Sequence, residues 1–294
     1  MLTQLFHLHA LSALHIGTGQ ALGAVDLPIA RARASHLPLV PGSALKGVLR
    51  DELAGTDHEF TLFGPKKIET GGDGHAGALA FGDAHLLLLP VRSLAGVVAF
   101  ATCPFVLARY AEDLKRAGAQ GVPSVPGVAS EQVQLAQASV LMAAAGLVAL
   151  EDLDLTVAGN GAAEDWAARI ASQVHPTDDC WQKRLKERIA IVSDDTFSFL
   201  ADTATEIRAR ISLNDAGTVK EGPWYEENLP AETVLWGLVA AGPGREKGKA
   251  MRPEVVLKDF NEAVNDAGKR EKLIQLGGKA TVGRGLARFL TGGA

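Results

Sequence analysis

A chain of 294 residues, 47% hydrophobic and 21% charged, has enough apolar side chain for one elaborated domain or a core with insertions. Its two cysteines, Cys103 and Cys180, form no CxxC pair, and its longest apolar run, residues 138–150, falls well short of the roughly 20 that span a bilayer; a disulfide framework, a cysteine zinc site and a membrane span are excluded. The formal net charge of −5 argues against a nucleic-acid partner until its distribution is read: residues 1–50 carry net +3, residues 269–294 net +5, and the span between them −13.

Residues 2–17, LTQLFHLHALSALHIG, alternate near the strand period and end in glycine, which predicts a first strand at the centre of a sheet. No basic residue precedes its apolar run, so it reads poorly as a signal peptide and a cytoplasmic location is expected. Residues 17–42 mix glycines with three prolines and show no helical period; loops of this length are usually functional. SALKGVLRDELA (43–54) reads as a helix with Ser43 as N-cap, Leu45, Val48, Leu49 and Leu53 on one face, and Lys46 and Arg50 on another. Two strands at 77–89 and 96–103 precede a helix at 104–118 that opens on Pro104. With a last strand inside 275–290, the order β-α-β-β-α-β predicts an α+β fold of the ferredoxin-like kind. Residues 119–274 then form an insertion, with helices near 161–173 and 178–190 and a hairpin within 206–240 built around the DAG turn.

GTGQALG (17–23) has dinucleotide-loop spacing but opens no helix, and no carboxylate lies about 20 positions on, so that reading is rejected. LGGKATVGRG (276–285) is no Walker loop; it is either a tight turn or a loop whose freed amides, Lys279, Thr281 and Arg284 lie along a phosphate backbone. PGSALKGVLR sets a helix start beside Lys46 and Arg50, which is a phosphate seat or a solvated face. His7, His9, His15 and His36 are not spaced as a metal cluster; His7 and His9 read as buried strand residues, and His15 can face a groove. The pairs Asp178-Asp179, Asp194-Asp195 and Glu226-Glu227 read as solvated edges. Asp26 is the only acid in the first fifty residues, among Arg31, Arg33, Lys46 and Arg50. It either fills a turn before Leu27-Pro28 or stays ionised as a positioning group or metal contact, since one carboxylate plus substrate phosphates is a common way to hold Mg²⁺.

HIGTG, VDLPIAR, LPLVPGSALKGVLRDEL, LFG, GALAFGDAHLLLLPVRSLAG, FATCP, LPAETVLWG and GGKATVGRGLARF, in that order, resemble the RAMP superfamily, and within it the backbone subunit of the type III-B (Cmr-type) CRISPR effector complex of antiviral defence. The resemblance implies a modified ferredoxin-like (RRM-like) core, residues 1–118 and 275–294, with large insertions between that include a thumb-like β-hairpin in 206–240. It implies a filament of copies along a CRISPR guide RNA, joined by other subunits of the complex and by complementary target RNA, with no membrane partner. It also implies metal-dependent cleavage of that target at regular intervals, with Asp26 as the catalytic carboxylate and a divalent metal, Mg²⁺, as cofactor. His15, Gly17, Arg31, Ser43, Lys46, Arg50, Lys279, Thr281 and Arg284 take the RNA-binding positions. Two alternatives stay open: a non-cleaving RNA-binding scaffold, and a guide-processing endoribonuclease that relies on His15 or His36.

Overall fold

The computed structural model describes residues 1–20, 25–56, 58–65, 74–143, 146–159, 161–246, 248 and 250–292, so Ala21, Leu22 and Gly23 of the GTGQALG stretch lie outside the described residues. In chain order its elements are β1 (Leu2–Ala10), β2 (Leu39–Val40), α1 (Gly42–Glu52), α2 (Glu59–Phe63), β3 (Leu79–Phe81), β4 (Ala84–Ser93), β5 (Val97–Thr102) and α3 (Pro104–Arg116). Then come β6 (Gln132–Leu135), β7 (Leu147–Leu150), β8 (Leu153–Val157), α4 (Gly161–Val174), α5 (Asp179–Lys186), β9 (Ile189–Val192) and α6 (Asp194–Thr203). The chain closes with β10 (Glu206–Leu213), β11 (Val219–Asn228), β12 (Val234–Ala241), α7 (Pro253–Ala263), β13 (Glu271–Gln275) and β14 (Leu286–Thr291). No helix among the described residues is long and apolar enough to cross a membrane.

One sheet runs in the order β13-β14-β1-β12-β4-β5-β9-β6-β8-β7, with β2 added on β4 and β3 on β12. The first strand is central, as its pattern predicts, but it stops at Ala10: residues 11–17 turn out of the ladder and are held by isolated bridges, Leu14 to Leu229 and Gly17 to Ile29. From Leu5 to Ala10 every residue of β1 is buried, because both faces of the sheet are covered. On one face Phe6 stacks on Phe289 at 5.0 Å and Phe289 meets Phe260 of α7 edge-on. On the other, His7 Nε2 lies 2.8 Å from the Tyr110 hydroxyl of α3, and Tyr110 packs edge-on against Trp236. His7 is thus a satisfied core histidine, and burial lowers its pKa to about 3.

The expected division of the chain does not follow the sheet. β12, from the stretch expected as an insertion, lies between β1 and β4, while β5, expected in the core, pairs with β9 from that same stretch. Sequence order hides this because β4 and β12 are neighbours separated by about half the chain. The helices expected near 161–173 and 178–190 are α4 and α5. The expected hairpin is β10–β11, a two-stranded sheet of its own turning at Asn214–Thr218, whereas the rest of 206–240 supplies β12.

Candidate functional site

The hairpin is exposed along most of its length, but β11 ends in three buried polar residues, Glu226, Glu227 and Asn228. Strand alternation sends the two glutamates to opposite sides. Glu226 accepts hydrogen bonds from Arg210 Nε at 2.7 Å, Lys279 Nζ at 2.9 Å and the Trp224 indole at 3.1 Å. Burial alone would raise its pKa, but the bonds from Lys279, Trp224 and Arg210 outweigh that and hold it at about 2. Glu227 Oε1 accepts from Arg31 at 2.6 Å and from the Thr205 hydroxyl at 3.1 Å, and its Oε2 accepts from the Ile29 amide at 3.1 Å. Arg31 also donates to Asp202 and to the carbonyls of His36 and Ala201. Its side chain is 12% exposed, so the guanidinium is taken up by protein partners rather than turned to solvent.

This network straps the Asp26 loop to the hairpin. Leu27 and Glu226 form a parallel bridge, with the Leu27 amide on the Tyr225 carbonyl and the Glu227 amide on the Leu27 carbonyl. The Tyr225 amide donates to Asp26 Oδ2 at 2.7 Å. Asp26 is half-buried, and among the described residues nothing takes its Oδ1. Its bond thus reaches 199 positions along the chain to β11, instead of closing a turn of its own.

His15 is buried beside the same strand end, with Nδ1 2.7 Å from the Glu227 carbonyl. A carbonyl only accepts, so Nδ1 carries the proton and Nε2 is left as an acceptor in the neutral ring. Gly17 is required here, since a Cβ would stand 2.7 Å from His15 Nε2. The C-terminal loop folds around the histidine: the Gly278 amide donates to the His15 carbonyl, and a Cβ on Gly277, at φ +80°, would come within 2.4 Å of that oxygen. From this loop Lys279 reaches Glu226, Thr281 is exposed in a short 3₁₀ turn, and Arg284 is half-buried with its Nε unpartnered among the described residues. The structure therefore gathers His15, Gly17, Asp26, Arg31 and Lys279 around the end of β11.

Ser43, Lys46 and Arg50 lie apart on α1, and among the described residues no hydrogen bond or ion pair joins them to that group. Ser43 is not the N-cap: Pro41 holds that position, Ser43 is exposed, and the Gly42 amide is capped by Asp83 Oδ1 at 2.8 Å. A carboxylate thus occupies the amide expected to seat phosphate. Among the described residues Lys46 Nζ reaches only the Leu79 carbonyl, at 3.4 Å, and burial followed by the Arg50 charge lowers its pKa. Arg50 donates to the Gly64 carbonyl.

Of the acidic pairs, Asp178-Asp179 and Asp194-Asp195 are exposed, as expected, with Asp178 capping α5 through the Trp181 amide and Asp194 accepting from the Phe105 amide. Glu226-Glu227 departs from that expectation: both are buried organisers of the site. The signal available in the sequence was WYEEN, where acids follow aromatics at a strand end. His36 is exposed and pairs with Asp202. Among the described residues no group of three or more His, Cys, Asp or Glu side chains is placed to hold a metal. Asp26, with one oxygen anchored and the other without a partner among the described residues, suits a metal completed by phosphate and water, not a protein-only cage.

A sequence profile of the RAMP superfamily matches residues 7–288. The chain is 34% identical to the CRISPR system Cmr endoribonuclease Cmr4 of Pyrococcus furiosus, over 98% of this chain and 95% of that protein. It superposes on the crystal structure of oligomeric Cmr4 from Pyrococcus furiosus with a TM-score of 0.75 at 28% identity, covering 99% of this chain and 98% of the other. A subunit in the cryo-EM structure of the type III-B Cmr-beta complex bound to cognate target RNA shares the fold, with a TM-score of 0.68 at 15% identity over 99% and 97% of the two chains.

Proposed function

The chain belongs to the RAMP superfamily, and from that premise we propose that it is a cytoplasmic, CRISPR RNA-binding filament subunit of a type III-B effector complex that cleaves guide-complementary target RNA at regular intervals. Its partners are the guide RNA, the complementary target RNA, further copies of itself and the other subunits of the complex. We read β1, α1, β4, β12, α7 and β14 as a modified ferredoxin-like, RRM-like core, in the chain order βαββαβ, with residues 94–233 inserted between its second and third strands. The β10–β11 hairpin is the thumb.

The observation that carries the catalytic reading is the placement of Asp26 at the thumb base, fixed through Oδ2 by the Tyr225 amide and, among the described residues, without a partner at Oδ1. Asp26 would hold a divalent metal, Mg²⁺ by the chemistry of a single carboxylate with phosphate and water ligands, which supplies charge stabilisation at the scissile phosphate. The Tyr225 amide orients the carboxylate, and the Arg31–Glu227 pair fixes the loop that carries it. His15 presents its Nε2 edge beside Gly17, and Lys46, Arg50, Thr281 and Arg284 contact RNA backbone. A guide reads sequence by base pairing, so backbone contacts suffice.

The test is Asp26→Asn in the complex assembled on guide RNA, with binding and cleavage of labelled complementary target followed in the same tubes. Asparagine keeps an oxygen for the Tyr225 amide while removing the charge and turning the other oxygen into an NH2 donor. Target binding should persist while cleavage falls about 10²–10⁴-fold, and wild-type cleavage should stop in chelator and return with Mg²⁺. Undiminished cutting by the variant would make Asp26 a turn residue and the chain a scaffold.

A further inference from the structure

We propose that Glu232, His9, Arg288 and Glu271 are positioning residues for cleavage: they form one row of side chains across four neighbouring chain segments and fix the extension of the sheet that carries His15. This rests on the cleaving reading above and names what holds its geometry.

The sheet does not end where β1 does. Residues 11–17 run on beyond Ala10, flanked on one side by residues 229–233 and on the other by residues 276–286. Leu14 and Leu229 exchange both backbone bonds, the Leu11 and Ser12 amides bond the Leu286 carbonyl, and the Gly285 amide bonds the Ala13 carbonyl. Toward the outer end of this extension sits His15, tied to the Glu227 carbonyl and the Gly278 amide. Its aim is set where the extension leaves the sheet.

At that root the row crosses from the entry of β12 to β13. His9 Nε2 donates to Glu232 Oε2 at 2.9 Å, Arg288 Nη1 donates to His9 Nδ1 at 3.2 Å, and Arg288 Nε donates to Glu271 Oε2 at 2.8 Å. Glu232 lies in the connection entering β12, His9 on β1, Arg288 on β14 and Glu271 on β13, so each bond ties one segment to the next in sheet order. His175, just after α4, closes over the row with Nδ1 3.4 Å from Arg288 Nη1. Burial, then the neighbouring His9 and Arg288, lowers the His175 pKa to about 4, so at neutral pH the guanidinium meets an unprotonated nitrogen.

Two features mark the row as more than packing. Glu232 sits at φ +69°, a backbone strain that brings its carboxylate onto His9. Burial alone would raise its pKa, but the bond from His9 outweighs that and holds it below the ordinary carboxylate value. The row also lines an open cleft of about 300 Å³, beside Asp178, Trp181 and Lys269, instead of being sealed in the core. Leucines would cover the same face with as much stability, because ion pairs drawn out of water give little net gain. What the hydrogen-bonded row adds is direction: each donor has its acceptor on the next segment, so the strands cannot slide past one another. A slide at the root displaces His15 relative to Asp26, which is held separately by Tyr225 of β11. A misplacement of about 1 Å costs roughly 100-fold in rate.

The test compares Glu232→Ala and Glu232→Gln with wild type in the complex assembled on guide RNA. The Glu232 side chain is 37% exposed, so neither change unfolds the chain. Target affinity is read by filter binding, cleavage in single turnover, and the free chain by amide hydrogen exchange. Glu232→Ala should bind target as wild type does, cut it about 10- to 100-fold more slowly, and exchange faster at residues 11–17 while α3 and α4 stay protected. Glu232→Gln still offers an oxygen to His9 Nε2, and should restore most of the rate and of the protection. A wild-type rate in Glu232→Ala, a loss of affinity in step with the rate, or no rescue by glutamine would overturn the proposal. A wild type that does not cut would sink the cleaving reading by itself. Exchange at 11–17 then decides: if unchanged in Glu232→Ala, the row falls too, and if faster, the row stands as the support of His15.

Discussion

At the hairpin base Arg31 and Lys279 face buried glutamates, whereas on α1 Lys46 and Arg50, among the described residues, bond only backbone carbonyls. The first arrangement neutralises its cations and spends them on geometry: each glutamate ties one loop to the end of β11, and Asp26 rides on one of those loops. Among the described residues no ion pair joins the two neighbouring cations of the second, and burial followed by the Arg50 charge lowers the pKa of Lys46. Cations in one basic stretch can therefore have different jobs. Those paired inside the protein build the frame, and those with no ion pair among the described residues are the ones proposed for phosphate.

The contrast breaks most easily at Arg31. Removing one partner of a buried ion pair leaves the other charge without compensation, which typically costs about 3–5 kcal/mol. Arg31→Ala strands Glu227 and also empties the contacts to Asp202 and two carbonyls. Lys46→Ala gives up one long hydrogen bond and relieves a repulsion, so its effect should stay within about 0.5 kcal/mol. Urea unfolding of both variants measures the difference, and equal midpoints would show that the two regions do not divide the work.

How far this was legible from the sequence depends on the range of the contacts. The helices α3, α4 and α5 and the DAG hairpin could be read because proline starts, caps and turn residues are local signals. The order of the sheet could not, because β1, β4, β12 and β14 meet across most of the chain and all are buried on both faces, which erases the alternation that would tell inside from outside. Asp26 stood out as a lone acid among cations, and its loop, unusually long, was marked as functional. Arg31 read as a phosphate contact because its partner, Glu227, is 196 positions away. Ser43 read as a cap because a Ser before an apolar period commonly is one, yet a carboxylate from the β3–β4 connection took that role.

Acid titration sharpens the comparison from the other side. Glu226 has a folded pKa of about 2 against an ordinary 4.5, so its contribution to stability is complete above pH 4.5 and is lost as the pH falls toward 2. The stability gap between wild type and Glu226→Gln should accordingly be constant from pH 7 to about 5 and shrink steadily below that. The buried His7, held at about 3 from an ordinary 6.5, acts in both proteins and begins to erode stability already below pH 6.5, so it cancels from the difference. Chemical denaturation at stepped pH gives the gap directly. A gap that does not narrow between pH 5 and 2 would mean that Lys279 and Arg210 do not depend on the glutamate charge.

The smallest expected effect lies at the start of α1. Asp83 caps the Gly42 amide and places a negative charge where the helix start would otherwise attract phosphate. Asp83→Asn keeps an oxygen for that amide, so the fold should change by no more than a few tenths of a kcal/mol. Guide RNA lying against Ser43 and Lys46 would lose a repulsion worth about 0.3–1 kcal/mol at low salt, a gain of roughly two- to five-fold in affinity. The gain should fade as salt rises, because an exposed carboxylate is screened within about 10 Å at 0.1 M. Filter binding of guide RNA across a salt series separates the cases: a low-salt gain puts the backbone beside α1, and identical curves for wild type and variant would place it only at the hairpin base.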